Sequence, residues 1–175
     1  MTKLVKIEKT TLKRFLRKRA IYYILPNVCF NFLVAYASFQ EIGYTYFFAG
    51  PQSLARLTLP MAIFLPVVLT MDIIKRVIAA IEQESIALTV DSELNKNRFI
   101  TKLCLIHGFV TGMFVLTCLL LAQYNLSTHY KLNATAMAIL DAFLAGVLSI
   151  LFTYLPIRKL KKYLSEPSLT VREIE

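Results

Sequence analysis

Asp141 is the residue from which chemistry in this chain would have to start. It stands seven residues into an apolar run that begins at Ala134, so about 10 Å deep if the run is a helix rising 1.5 Å per residue. No Lys or Arg lies within two helical turns of it to balance its charge. An ionisable group placed that way is a functional candidate by default. The alternative is a carboxyl tied to Asn27, Asn31, or a Tyr or Thr of another segment. Asn27 and Asn31 are four residues apart and so share a helix face. Two amides in hydrocarbon need partners, which reads as interhelical bonding or as one wall of a polar path. His107 stands alone in a third apolar run, where a hydrogen-bonded structural role is expected ahead of proton relay. Asp72 precedes Lys75 and Arg76 by three and four residues and reads as an interfacial carboxylate balanced by them.

Other catalytic patterns are missing from the sequence. There is no glycine-rich phosphate loop, no HExxH and no CxxC. Cys29, Cys104 and Cys118 are isolated within apolar runs, without metal spacing or a redox pair, and read as small buried hydrophobes. Asp72 and Asp141 fall toward opposite ends of their runs, which argues against a carboxylate pair sharing acid–base work. Ser149 has no base near it in sequence. We therefore expect no catalytic residues, no cofactor and no metal site, and read the chain as not an enzyme.

What positions these residues is hydrocarbon-compatible helix. The chain has 175 residues, 57% of them hydrophobic, with a mean hydropathy of +0.57; soluble domains are usually about 45–50% apolar. Four runs, about 20–40, 57–74, 103–123 and 134–155, are long enough to cross a bilayer. Each must be helical, because only then does the backbone satisfy its own hydrogen bonds in lipid. The expected fold is an all-α membrane protein, a four-helix bundle of two tandem in-out-in hairpins.

The net charge of +9 invites a nucleic-acid reading, and the positions of the charges argue against it. Of the 20 Lys and Arg, 18 lie in the two termini and the central linker; Arg56 and Lys131 alone fall in the other two gaps. That is the positive-inside pattern of a multi-pass protein with both termini cytoplasmic. The expected partners are the bilayer, its anionic inner-leaflet lipids, a second copy of the chain and conceivably another protein, and no nucleic acid. No cleavable signal peptide is apparent. The compactness points to a bacterial cytoplasmic membrane.

The segments divide accordingly. Residues 1–19 form a basic leader in which Lys13, Arg14, Arg17, Lys18 and Arg19 surround Leu12, Phe15 and Leu16 at helical spacing. This suits either a short helix lying on an anionic leaflet or a plain topogenic flank. Residues 20–76 are the first hairpin, with Pro26, Pro60 and Pro66 inside it. Tyr44, Tyr46, Phe47 and Phe48 of its outer loop read as an interfacial aromatic belt, and Gly50-Pro51 as a turn. Residues 77–97 are a cytoplasmic continuation, helical through about 88, and a linker. Residues 98–160 are the second hairpin. Its Gly108 and Gly112 form a small-xxx-small surface for close helix approach, within the bundle or between protomers. Asn125-Leu-Ser127 and Asn133-Ala-Thr135 match glycosylation sequons that carry no meaning in a bacterium. Residues 161–175 are the tail, where Leu169-Thr170-Val171 echoes Leu88-Thr89-Val90.

The two hairpins also resemble each other. Arg14-Phe15-Leu16-Arg17-Lys18 returns as Arg98-Phe99-Ile100-Thr101-Lys102, at an offset of 84. Near the exits the offset is 83, pairing Ala62 with Ala145, Leu65 with Leu148 and Thr70 with Thr153. One hairpin written twice accounts for this, as does convergent hydropathy. The unit of basic start, two helices, proline in the second and basic stop resembles a family of very small two-helix bacterial inner-membrane proteins of unknown function, here in tandem. The resemblance implies a fold and a location and no activity. The second unit departs from it, with Pro156 at its very end and Gly108 and Gly112 where the first carries its Asn face.

Two functions follow as expectations. One is an oligomeric transporter or channel for an ion or small solute, with Asp141, Asn27, Asn31 and His107 along its path. The other is a non-catalytic subunit or scaffold that docks a partner or anionic lipid, with the polar residues as internal glue. A membrane-embedded enzyme is a distant third.

Overall fold

The computed structural model of the chain describes residues 11–41, 43–50, 52–126 and 130–165. Four long helices dominate it: α1 (Leu12–Gln40), α2 (Leu54–Glu82), α3 (Lys96–Asn125) and α4 (Ala134–Leu160). All four are long and apolar enough to cross a membrane. Their large side chains remain exposed around the bundle: Leu25, Phe30, Phe64, Leu105, Phe109, Phe114 and Phe143 each keep more than 60% of their surface. In water such a surface would aggregate; against lipid tails it is the expected exterior.

The helix starts follow from local chemistry. Thr11, Asn95 and Asn133 cap α1, α3 and α4, their side chains accepting from the backbone N–H of Arg14, Arg98 and Ala136. Ser53 before α2 makes no such bond. There the loop itself serves: the carbonyls of Tyr46 and Phe47 accept from Leu54 and Ala55 N–H at 2.8 and 2.9 Å. Phe47 is consequently drawn in to 8% exposure, where an interfacial belt was expected. Tyr44 and Tyr46 keep edge-to-face contact at 5.5 Å, with Lys131 over the Tyr44 ring. Of the Gly50-Pro51 turn, Gly50 adopts φ +81° and Pro51 lies outside the described residues.

Two other boundaries differ from expectation. α1 runs unbroken from Leu12, so Lys13, Arg14, Arg17, Lys18 and Arg19 form its first turns and not a separate surface helix. Leu16 and Ala20 are buried there, and burying them on the bundle holds the segment in line. α2 stops at Glu82, short of residue 88. The stop is a Schellman cap: Ser85 N–H bonds Ala80 O, Glu84 N–H bonds Ile81 O, and Glu84 takes φ +55°, where glycine is usual. The turn brings Ile86 into the core cluster at this end of the bundle, at 2% exposure.

The helices do not pair as sequential hairpins. α1 packs on α4, α3 packs on α2, and α2 and α4 meet in the middle, while α1 and α2 touch little and α3 and α4 scarcely at all. Two short antiparallel pairs tie the ends: β1 (Tyr44–Thr45) to β3 (Leu132–Asn133), and β2 (Thr89–Val90) to β4 (Leu164–Ser165). The residues 169–171 that echo Leu88-Thr89-Val90 lie outside the described residues. The core lies in three clusters, one toward each end and a small middle one of Leu69, Leu148 and Phe152.

Candidate functional site

Three of the four polar candidates, Asp141, Asn27 and His107, meet a partner on another helix, and the partners differ. Asp141 on α4 is 3% exposed, and Thr58 of α2 donates its hydroxyl to Asp141 Oδ1 at 2.8 Å. Asn27 on α1 donates to Ser149 Oγ of α4 at 2.9 Å, and Ser149 in turn donates to Ala145 O. Asn31 turns back along its own helix to Asn27 O at 2.7 Å. His107 on α3 lies 2.8 Å by Nδ1 from the Thr70 hydroxyl of α2, with its ring 5.1 Å from that of Phe152. These bonds cross three helix contacts, α1 with α4, α2 with α4 and α2 with α3. They do not bring Asp141, Asn27, Asn31 and His107 to one point. The offset of 83 pairs Thr70 with Thr153 and Thr58 with Asp141, but it gives neither threonine a bonding partner, since a threonine in an apolar run is unremarkable until the acid or imidazole opposite it is known.

The acid at the other end of α2 behaves differently. Asp72 accepts from Arg76 Nε at 2.6 Å, one turn along α2, and from the Tyr23 hydroxyl of α1. The tyrosine is the one long-range member of this set and bridges α1 to α2, which otherwise touch little. Both Asp72 and Arg76 remain partly exposed.

Gly108 and Gly112 are spent inside the chain. A Cβ on Gly108 would lie 2.6 Å from Val67 Cγ2 and 3.0 Å from the Ile63 carbonyl oxygen; one on Gly112 would lie 2.5 Å from Ile63 Cγ1. Their absent side chains let α3 close on α2. On the other side, Gly146 of α4 receives Val28 of α1, with a virtual Cβ 3.0 Å from Val28 Cγ2.

Asp141 borders a cavity. Where α3 and α4 diverge, a cleft of about 340 Å³ opens, with Leu54 and Thr58 of α2 behind it. Its sides include Phe114 and Cys118 of α3 and Phe143 and Leu144 of α4, and Phe47 of the loop before α2 also lines it. Phe114 and Phe143 are 68% and 67% exposed, on the bundle exterior. Among the described residues no Lys or Arg forms an ion pair with Asp141. The cleft therefore joins an apolar wall to one buried carboxyl that has a single hydroxyl donor.

The exposed cations of α1, Lys13, Arg14, Arg17 and Lys18, ring its first turns, while Arg19 is half-buried with its guanidinium 5.3 Å from the Phe15 ring centre. Lys75, Arg76, Lys96, Arg98, Lys102, Arg158 and Lys159 occupy the same end of the bundle, the end tied by β2 and β4.

No family model, no curated protein and no solved structure matches the chain. The arrangement of its own residues therefore carries the functional argument.

Proposed function

We propose that the chain is a small membrane transporter or channel for an ion or small solute, working as a homo-oligomer in a bacterial cytoplasmic membrane with both termini inside. The observation that carries this reading is the Asp141 carboxyl, buried between α2 and α4 yet bordering a cleft that opens on the bundle side. A purely structural acid has no need of a cavity, and an uncompensated carboxyl in the bilayer is costly to keep. The basic end of the bundle supports the orientation.

We further infer a tandem duplication of a two-helix unit, the parallel repeat found in some transporters. Several relationships support it. The caps Thr11 and Asn95 are 84 residues apart, and each bonds the N–H three residues on. α1 on α4 repeats as α3 on α2, and the strand after each helix pairs with its counterpart from the other half. Ala62 and Ala145, like Thr70 and Thr153, are completely buried. Ile63 against Gly112 corresponds, at offsets of 83 and 84, to Gly146 against Val28, with large and small partners exchanged. This duplicated unit is what resembles the two-helix inner-membrane proteins.

The test is solid-supported-membrane recording on proteoliposomes stepped through inorganic and organic cations. Transient currents in the wild type that vanish in Asp141→Leu support transport. Traces indistinguishable from empty liposomes, or currents unchanged in Asp141→Leu, overturn it.

The scaffold reading draws on one observation, that Asn27 and His107 are satisfied by partners inside the chain, as glue would be. Its docking face would be the basic end and not the Gly108–Gly112 surface, which α2 covers. A stoichiometric second polypeptide retained in mild detergent, seen by native mass spectrometry, would favour it.

A further inference from the structure

We propose that the Asp141 cleft binds an apolar organic monocation, admitted sideways from the lipid between α3 and α4. This deepens the transport reading by naming what the site takes, and it rests on the same cleft. The first argument is charge. Asp141 is 97% buried, has no cation partner among the described residues, and commits Oδ1 to Thr58. A carboxylate has about four acceptor positions, so an incoming cation finds unused ones. Anions are repelled, and a neutral acyl chain would make no use of the acid.

The second argument separates organic from inorganic cations. Ca²⁺ wants about six to eight oxygen ligands, and Mg²⁺ keeps several of its waters. The cleft offers the Asp141 carboxyl and the Thr58 hydroxyl on a wall otherwise built of Phe, Leu, Val, Cys and Ala side chains. A small hydrated ion would lose its water without replacement there. A cation wrapped in carbon is weakly hydrated and gains by burying its substituents against Leu54, Leu140 and Leu144.

The third argument is aromatic. Phe47, Phe114 and Phe143 line the same cleft as the carboxyl, and phenyl rings attract cations within about 6 Å of their faces. Size agrees: about 340 Å³ falls at the small end of the roughly 300–1,000 Å³ typical of ligand pockets. The route agrees too, because Phe114 and Phe143 stand on the exterior of the bundle, where α3 and α4 scarcely touch.

The test is equilibrium dialysis of radiolabelled tetraphenylphosphonium against the full chain in maltoside. We expect saturable binding, weakened roughly tenfold or more in Asp141→Asn. Unlabelled triphenylphosphine oxide, which is neutral, should not compete. Cys118→Trp, which fills the cleft and leaves the acid in place, should also lose the probe; it keeps the test decisive if Asp141→Asn fails to fold. No saturable binding in the wild type, equal affinity in folded Asp141→Asn, or full competition by the neutral compound would each overturn the proposal. Probe binding without any cation current would retain this site and discard transport. Inorganic currents without probe binding would do the reverse.

Discussion

Thr58 and Asp141, 83 residues apart, face each other across the middle of the bundle with a 2.8 Å hydrogen bond between them. That separation is the offset at which the two halves of the sequence align near their exits, so two positions that align in sequence meet between α2 and α4. One carries an acid and the other its donor.

Breaking that pair should show coupling. Thr58→Val leaves Asp141 Oδ1 without its donor and should cost about 1–3 kcal/mol. Asp141→Leu on its own strands the Thr58 hydroxyl. The double variant removes both polar groups and should lose less than the sum of the two single losses, by about 0.5–3 kcal/mol. Helix unfolding followed by circular dichroism in an SDS titration gives the four values, and strict additivity would mean the bond contributes nothing.

The two glycines of α3 should respond differently to rescue. Gly112→Ala meets the Ile63 side chain, and Gly108→Ala meets Val67 and also the Ile63 backbone oxygen. Each should destabilise by about 1–3 kcal/mol. Ile63→Ala should recover much of the loss in Gly112→Ala. Val67→Ala should recover less in Gly108→Ala, since a carbonyl cannot be trimmed. Thermal melts in detergent check this, and equal rescue at both sites would contradict the packing described.

Glu84→Gly should stabilise the chain. Glu84 holds φ +55° in the cap of α2, a conformation that costs an L-residue about 1–2 kcal/mol and glycine almost nothing. A bulky β-branched residue there should do the opposite. A lower melting temperature for Glu84→Gly than for the wild type would count against the cap.

The β2–β4 clasp should be cross-linkable. Thr89 and Ser165 are strand partners whose hydroxyl oxygens lie 2.9 Å apart; directly opposed residues of an antiparallel pair have Cβ atoms about 4.5–5.5 Å apart, close enough for a disulfide to form with a small shift of backbone. Thr89→Cys with Ser165→Cys, in a chain whose Cys29, Cys104 and Cys118 are replaced by Ser, should oxidise readily in isolated membranes. A gel shift after trypsin reports the bond. Thr89→Cys with Ser53→Cys, on strands and helix ends of opposite ends of the bundle, is the negative control.

Hydropathy by itself determined that four segments are membrane-compatible helices, because a spanning backbone has no other way to satisfy its hydrogen bonds. It also singled out Asp141, since an acid in hydrocarbon stands out by type alone. Helix ends were less legible. The stop at Glu82 depends on a left-handed Glu84, which no residue type announces, and the start of α2 relies on Tyr46 and Phe47 carbonyls supplied by a loop. Which helices touch was beyond the sequence, because apolar periodicity is blunted when lipid covers the face that water would have made polar. Only the tertiary structure put Thr58 on Asp141, Thr70 on His107 and Ser149 on Asn27, each across a helix contact between distant stretches of chain. The cleft followed from the same packing: α3 leans on α2 through two glycines, α4 leans on α1 through one, and the gap left between α3 and α4 exposes the acid's surroundings.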